Sequence, residues 1–500
     1  MNFMTSFFSC FIDYRFIGLT FLGAVLGLFV GSIPGLSVTM ATALLVSITY
    51  TWQTTNAMAA IMGLYVVGVF SGALSAILIN IPGAPSSVVT TFDGYPMARR
   101  GESYKALKYA TVYSFVGSVF GLVVLWLLAR PVSRLALKFQ PMDYFLLTLF
   151  GLAAVGTLTS KTFSKGLISA VLGLFVSMIG LDSVMGTPRL TFGVRELQSG
   201  VPVVAALVGL FGFSEVLVTL SQGDMGAQVS EIKRTAVRLC DMLKYFVHSI
   251  WYAVIGCFVG ALPGAGGPVA SFLAYSCAKK IVRNPEVPLG EGAEEGIVAS
   301  ESSNNACIGG ALIPMLTLAV PGDAVTAIIL SVFYVHGLQP GPMFISVQPD
   351  MFAAVLAGGF LGCLFLLLLG LLVAPKLSGI LLVPKKILLP IVTVLCVIGS
   401  FACNNTMFDV LLMFLFGILG FFMRRRGYPV APMTLGLVLG GMMDSNFRRA
   451  VSLAASEENK LAALFGRPIT LVLLVLTVGT LVMNVPAVQK LFLRHRKESI

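Results

Sequence analysis

Charge is what this chain has least of. Asp, Glu, Lys and Arg make up only 11% of its 500 residues, against 57% hydrophobic. That balance excludes a disordered chain and argues against a water-soluble globule. Residues 16–53 and 56–92 carry no charge at all, and 350–374 carries Asp350 alone. Apolar runs of about 18 or more residues read as transmembrane helices, and about twelve membrane segments are expected. Paired cysteine spacing is missing as well: the eight cysteines are scattered, which suits small packing residues. The three histidines, His248, His336 and His495, stand far apart. No metal-ligand spacing and no recognisable nucleophile–base pair is present, so no cofactor, no resident metal and no enzymatic activity are expected. The first apolar run is too long for a cleavable signal and has no small-residue cleavage site, so it is expected to stay as a membrane helix.

The net charge of +11 is a topological signal rather than a nucleic-acid signal. Basic residues cluster in short loops between apolar runs: Arg99, Arg100, Lys105 and Lys108; Lys279, Lys280 and Arg283; Arg424 to Arg426; Arg494, Arg496 and Lys497. Positive charge on the cytoplasmic side orients membrane helices in this way. The partner it implies is a lipid bilayer; no nucleic acid is expected.

What the chain has in duplicate is more specific. Val30-Gly31-Ser32-Ile33-Pro34-Gly35 interrupts one apolar run, and Val259-Gly260-Ala261-Leu262-Pro263-Gly264 interrupts another about 230 positions later. A second break follows each, Ile81-Pro82-Gly83 and Val320-Pro321-Gly322. Apolar segments broken at corresponding places in two halves of a membrane protein point to a transport site. A single Pro-Gly break would read as an ordinary kink; four at matched positions do not.

The loop charges place the copies. The segment 246–278 has bases on both flanks and Pro263-Gly264 near its middle. It reads as a helical hairpin entering and leaving on one side, with its turn at the Pro-Gly. The matching segment 16–50 ends in a base-free stretch. Five crossings are expected between the hairpins, at 56–83, 106–129, 143–158, 165–184 and 201–220. An odd number inverts the second copy. The expected fold is therefore an all-α polytopic membrane protein with two inverted repeats: a first membrane repeat at 16–222, a cytoplasmic linker at 223–245, a second membrane repeat at 246–489 and a cytoplasmic tail at 490–500. Two loops resist this topology, because Arg130, Arg134 and Lys138 in one, and Arg448, Arg449, Lys460 and Arg467 in the other, fall on the outer side. Later segments are expected at 352–374, 386–401, 407–423, 428–443 and 468–488.

A broken membrane helix frees backbone N–H groups at the start of its second half, where the helix dipole favours an anion. Its freed carbonyls suit a cation. The substrate-binding candidates are accordingly the small and hydroxylated residues at the breaks: Pro34, Gly35, Ser37 and Thr39; Pro82, Gly83, Ser86 and Ser87; Gly264, Ala265 and Gly266; Pro321, Gly322 and Thr326. The amides of Asn304 and Asn305, just upstream of the fourth break, join them. No Lys or Arg lies in any break motif, so an anion would be held by N–H groups, hydroxyls and amides. Asp323 caps a half-helix or binds a coupling proton or sodium ion, and Glu301 is the second coupling candidate. Asp93 reads as an Asp-Gly turn at the cytoplasmic rim, and Glu291, Glu294 and Glu295 as solvated loop residues.

These residues bear a resemblance to a known family. Ile81-Pro82-Gly83 with Asp93-Gly94-Tyr95-Pro96-Met97, and Glu301 with Asn304-Asn305-Ala306 through Gly310, Ile313-Pro314 and Pro321-Gly322, are similar to the large membrane subunit of tripartite tricarboxylate transporters, the TctA family. His336-Gly337-Leu338-Gln339-Pro340-Gly341-Pro342 fits as well. The likeness runs over nearly the whole chain. It departs at Ser37-Val38, where a second Gly and a Pro would be expected. The resemblance implies a bacterial inner-membrane importer of di- or tricarboxylates, driven by a proton or sodium gradient. It also implies two partners, a small four-helix membrane subunit and a periplasmic solute-binding protein. A carboxylate or anion channel and an integral-membrane enzyme are the alternatives. A channel would favour rings of like charge from several subunits.

Overall fold

The computed structural model describes residues 3–33, 36–158, 163–182, 186–222, 242–282, 285–376 and 385–483. Helices dominate because the apolar runs can satisfy their backbone groups internally only in that form. In chain order they are α1 (Phe3–Cys10), α2 (Tyr14–Ser32), α3 (Val38–Ile48), α4 (Thr54–Ile79), α5 (Val88–Arg99), α6 (Ser103–Ala136), α7 (Pro141–Leu158) and α8 (Phe163–Ser177). Then come α9 (Val203–Leu207), which runs through a π-helical stretch at Val208–Phe213 into α10 (Ser214–Gln222), α11 (Phe246–Ala261), α12 (Gly266–Ile281), α13 (Glu294–Leu318) and α14 (Ala324–Val335). The last are α15 (Phe344–Val347), α16 (Pro349–Leu372), α17 (Lys385–Asn404), α18 (Met407–Arg425), α19 (Val430–Ala455), α20 (Lys460–Phe465) and α21 (Pro468–Met483). Six of the described helices are long and apolar enough to cross a membrane, and seven shorter ones are apolar. The chain is an all-α polytopic membrane protein.

Two compact units divide it. One comprises Met1–Ser133 with Val204–Phe421, and the other Arg134–Val203 with Phe422–Ile500. Of the expected domains, the linker at 223–245 falls largely outside the described residues, and the tail at 490–500 wholly so.

The first unit holds all four breaks. In it α2 packs along α4, and α11 packs along α13. The two crossings use the same small residues at the same places. A Cβ on Gly27 would lie 2.6 Å from the Leu64 carbonyl oxygen, and one on Gly256 would lie 2.1 Å from that of Ser303. One turn on, Gly31 meets the Gly68 carbonyl at 2.6 Å and Gly260 that of Cys307 at 2.5 Å. At the second breaks, Gly83 meets the Gly31 carbonyl at 2.2 Å and Gly322 that of Gly260 at 2.3 Å. Backbones this close exclude any side chain, which is how membrane helices associate without a hydrophobic driving force. Both long helices end in the left-handed region, at Asn80 and at Ala319, each with φ 57°. The repeated Pro-Gly phrase is thus a repeated packing unit.

The turn expected at Pro263-Gly264 is present. Helices α11 and α12 flank it, and Gly264 and Gly266 have φ of 72° and 60°, values that favour glycine. In the first copy α2 and α3 flank the corresponding break, but Pro34 and Gly35 lie outside the described residues.

In the second unit α7 and α8 pack on α19, and α21 packs on α7. Met142, Leu146, Ala450 and Leu473 form a core there. Two of the segments expected in this unit end elsewhere. The crossing at 165–184 stops as a helix at Ser177, and a short antiparallel hairpin follows, β1 (Gly180–Leu181) with β2 (Pro188–Arg189). Gly180 at φ 131° cannot continue a helix; Val184 lies outside the described residues. The segment 428–443 does not stop at Met443, because α19 continues to Ala455. The bases that resisted the topology are partly neutralised here. Arg448 pairs with Asp182 at 3.0 Å and with Asp444 at 3.0 Å, and Arg467 pairs with the buried Asp143 at 2.8 Å. A base paired with a carboxylate is a weaker topogenic signal than the bare sequence suggests.

Candidate functional site

Second-copy residues meet at the third and fourth breaks. The Gly264 N–H donates to the Gly322 carbonyl at 2.7 Å, so the hairpin tip between α11 and α12 is tied to the break before α14. A Cβ on Gly266 would lie 3.3 Å from the Asp323 Cβ. One residue on, a Cβ on Gly267 would lie 2.2 Å from Asn304 Oδ1 and 3.0 Å from the Ser86 Cβ. Ser86 belongs to the first copy, in the 3₁₀ turn Pro85–Ser87 that follows the second break. Residues of the second, third and fourth breaks are therefore neighbours. Helix α12 packs on that 3₁₀ turn, and α3 packs on α14.

Polar groups here are buried and incompletely bonded. Asn304 is 2% exposed, and its Nδ2 has no partner among the described residues. The Ser87 Oγ is likewise buried and unpartnered, against Gly72. Leaving such groups without partners costs about 1–3 kcal/mol each, and native proteins rarely accept that without a ligand, ion or water. A free amide donor and a hydroxyl beside helix N-termini suit an anionic oxygen.

Other candidates have local duties. Ser37 is the N-cap of α3, its Oγ accepting from the Met40 N–H at 3.1 Å, and Thr39 is half-buried in the first turn. Thr326 and Asp323 form a reciprocal cap: the Thr326 N–H donates to Asp323 Oδ1 at 2.7 Å, and the Asp323 N–H donates to Thr326 Oγ1 at 2.9 Å. The other oxygen of Asp323 accepts from the Tyr65 hydroxyl at 2.7 Å. Capping is thus observed at Asp323. Ala265 is buried at the hairpin tip. Pro82, Gly83, Pro321 and Gly322 shape the breaks, and any side chain on Gly322 would also strike Ala311.

Asn305 does not share the surroundings of Asn304. Its Nδ2 donates to the Ser114 Oγ at 2.9 Å and to the Glu301 backbone carbonyl at 3.0 Å, with Glu301 Oε2 at 3.3 Å. Glu301 is fully buried; it accepts from Thr90 Oγ1 at 2.5 Å and from Ser114 Oγ at 2.9 Å.

Asp93 needs correcting. It lies inside α5, fully buried, and is no rim turn. One oxygen accepts from the backbone N–H groups of Gly290, Gly292 and Ala293 at 2.7–2.9 Å, and the other from the Tyr275 hydroxyl at 2.7 Å. An N–H nest of this kind satisfies a carboxylate without a base. Glu294 and Glu295 are not solvated either. Glu294 pairs with Lys105, and Glu295 accepts from the Tyr252 hydroxyl at 2.9 Å and bonds His248 Nδ1 at 2.5 Å. Glu291 is exposed as expected. Sequence reasoning missed Tyr65, Ser114 and Gly267. Thr90 and Gly267 lie a few residues past the second and third breaks, but Tyr65 and Ser114 are lone polar residues in apolar helices and carry no pattern.

Comparison with known proteins agrees with this architecture. The sequence model of the "Tripartite tricarboxylate transporter TctA family" matches residues 17–435. An Agrobacterium vitis protein described as "Uncharacterized 52.8 kDa protein in TAR-I ttuC' 3'region" is 35% identical over 438 residues, covering 87% of each chain. A second from the same organism, "Uncharacterized protein in TAR-II ttuC' 3'region", is 37% identical over 202 residues, 40% of this chain and 83% of that one. No solved structure matches. On the family match and the full-length relative, this chain is a multi-pass membrane protein of the tripartite tricarboxylate transporter TctA family.

Proposed function

We propose that the chain is the large transmembrane subunit of a secondary transporter that imports organic di- or tricarboxylates. The observation that carries this reading is the meeting of Ser86, Gly267 and Asn304, with the Asn304 amide donor buried and unpartnered. A carboxylate oxygen suits that free amide donor. The break motifs contain no base. A substrate held by neutral donors pays less to leave than one held by a salt bridge, and transport needs release as well as binding.

In this reading the small membrane subunit completes the bilayer complex, and a periplasmic binding protein delivers the carboxylate. A proton or sodium gradient across the bacterial inner membrane drives uptake. The two copies of the break motif face opposite ways, as the loop charges suggest, and move against the long unbroken helices.

Reconstitution with both partner subunits tests this. Labelled citrate and succinate are offered to proteoliposomes under separate proton and sodium gradients. Accumulation above electrochemical equilibrium is expected. Uptake that stops at equilibrium would support a channel, and no uptake of any carboxylate would remove the reading.

A further inference from the structure

We propose that Glu301 is the proton-carrying group of this transporter, and that Thr90 and Ser300 form the hydroxyl relay that lets it hold or release a proton without leaving a hydrogen bond unmade. The inference rests on the transport reading above and deepens it. Glu301 is fully buried in α13, and its side-chain partners, Thr90, Ser114 and Asn305, are all neutral. A carboxylate buried among the helices of a membrane protein with no basic partner is costly and points to function.

The network closes in both states. With Glu301 ionised, Thr90 and Ser114 donate to its two oxygens and the Asn305 amide adds a third donor. With Glu301 protonated on Oε1, its O–H donates to Thr90 Oγ1. The Thr90 hydroxyl then turns to Ser300 Oγ, 3.1 Å away. Ser300 can accept because its own proton goes to the Ile297 carbonyl at 3.1 Å. One proton is gained, one O–H bond forms, and each donor keeps an acceptor. A purely structural carboxylate would not need the second arrangement.

The site suits a proton better than sodium. Asn305 presents its N–H₂ to the carboxylate, and the orientation is set by the Glu301 backbone carbonyl, which can only accept. A sodium site would turn oxygen toward the ion. Several titratable groups on elements packed around Glu301 are engaged elsewhere. On α5, Asp93 sits in its N–H nest with Tyr275 of α12. From α6 and α11, Lys105 pairs with Glu294, and His248 and Tyr252 bond Glu295. Tyr65 of α4 bonds Asp323, and Cys257 donates to the Ala306 carbonyl.

Position links the proton to substrate. Asn304 lies three residues past Glu301 on α13, and Thr90 lies four residues past Ser86, one helical turn in each case. The two groups that flank Gly267 are thus each one turn from the relay.

The experiment compares pH-gradient-driven accumulation of labelled citrate with citrate–citrate exchange in the reconstituted complex. In E301Q the ratio of accumulation to exchange should fall at least ten-fold, and in T90A the pH midpoint of uptake should move by a unit or more. Undiminished pH-driven accumulation by E301Q would overturn the proposal. Should E301Q fail to assemble, T90A decides: an unmoved midpoint overturns it. Wild-type complex that transports citrate with sodium alone, at a rate independent of pH, overturns it while leaving the transport reading intact. Wild-type complex that transports no carboxylate removes the reading itself.

Discussion

At the scale of single residues, the structure separates side chains that hold the breaks together from those with bonding capacity to spare. Asp323 and Thr326 satisfy one another, with Tyr65 on the free carboxylate oxygen. Asp323→Ala should therefore lower stability by about 1 kcal/mol, the usual worth of an N-cap, whereas Asp323→Asn keeps an acceptor and should lose less. Thermal unfolding of the two variants in detergent checks this. Asn304→Ala, in contrast, removes a donor that bonds nothing in the described chain. It should lower carboxylate uptake about ten-fold or more at a normal membrane level, measured as transport beside quantified surface protein. Gly322 does not report on ligand contact, because a side chain there strikes the Gly260 carbonyl. A Gly322→Leu variant is expected to lose folded protein before it loses binding.

Helices are where the sequence was most readable. Composition and apolar run length located most of the long ones, because a membrane leaves backbone groups no other economical partner, but they bounded no segment at 294–335, where α13 and α14 lie. The hairpin turn at Pro263-Gly264 was legible from its dipeptide. The end of the helix at Ser177 and the continuation of α19 to Ala455 were not: the first follows the φ of Gly180, and the second places Arg448 against Asp182, its partner far away in sequence. Two predictions belong to this scale. Gly256→Val should prevent α11 from seating on α13, since its Cβ alone would stand 2.1 Å from the Ser303 carbonyl. Its loss of monodisperse protein on size exclusion should be severe, and Gly27→Val should do the same to α2 on α4. In the second unit, Asp182→Asn should cost more than the ~1 kcal/mol of an exposed pair and less than the ~3 kcal/mol of a fully buried one. Asp182 is buried, whereas its partners Arg189 and Arg448 are partly exposed. A thermal shift against wild type, larger than that of Asp444→Asn, is the check.

Across the whole molecule, duplication explains more than any single motif. The glycine contacts of α2 on α4 recur in α11 on α13, down to the left-handed residue that ends each long helix. The copies are not equal in chemistry. Asn304, Glu301 and Asp323 have no polar counterparts of the same kind in the first copy, which instead supplies Ser86, Thr90 and Tyr65. That division was only half legible. The Pro-Gly breaks announced where a site would be, but which polar side chains reach it depended on long-range packing of apolar helices, where a lone Tyr or Ser gives no warning. The central claim is that residues from both copies form one carboxylate site. A double-mutant cycle on Ser86→Ala and Asn304→Ala, read as kcat/KM for citrate uptake in the reconstituted complex, tests it most directly. The account predicts that each substitution alone lowers kcat/KM about ten-fold or more, and that the double variant loses much less than the product of the two. Normal uptake by either single variant, or losses that simply multiply, would contradict it.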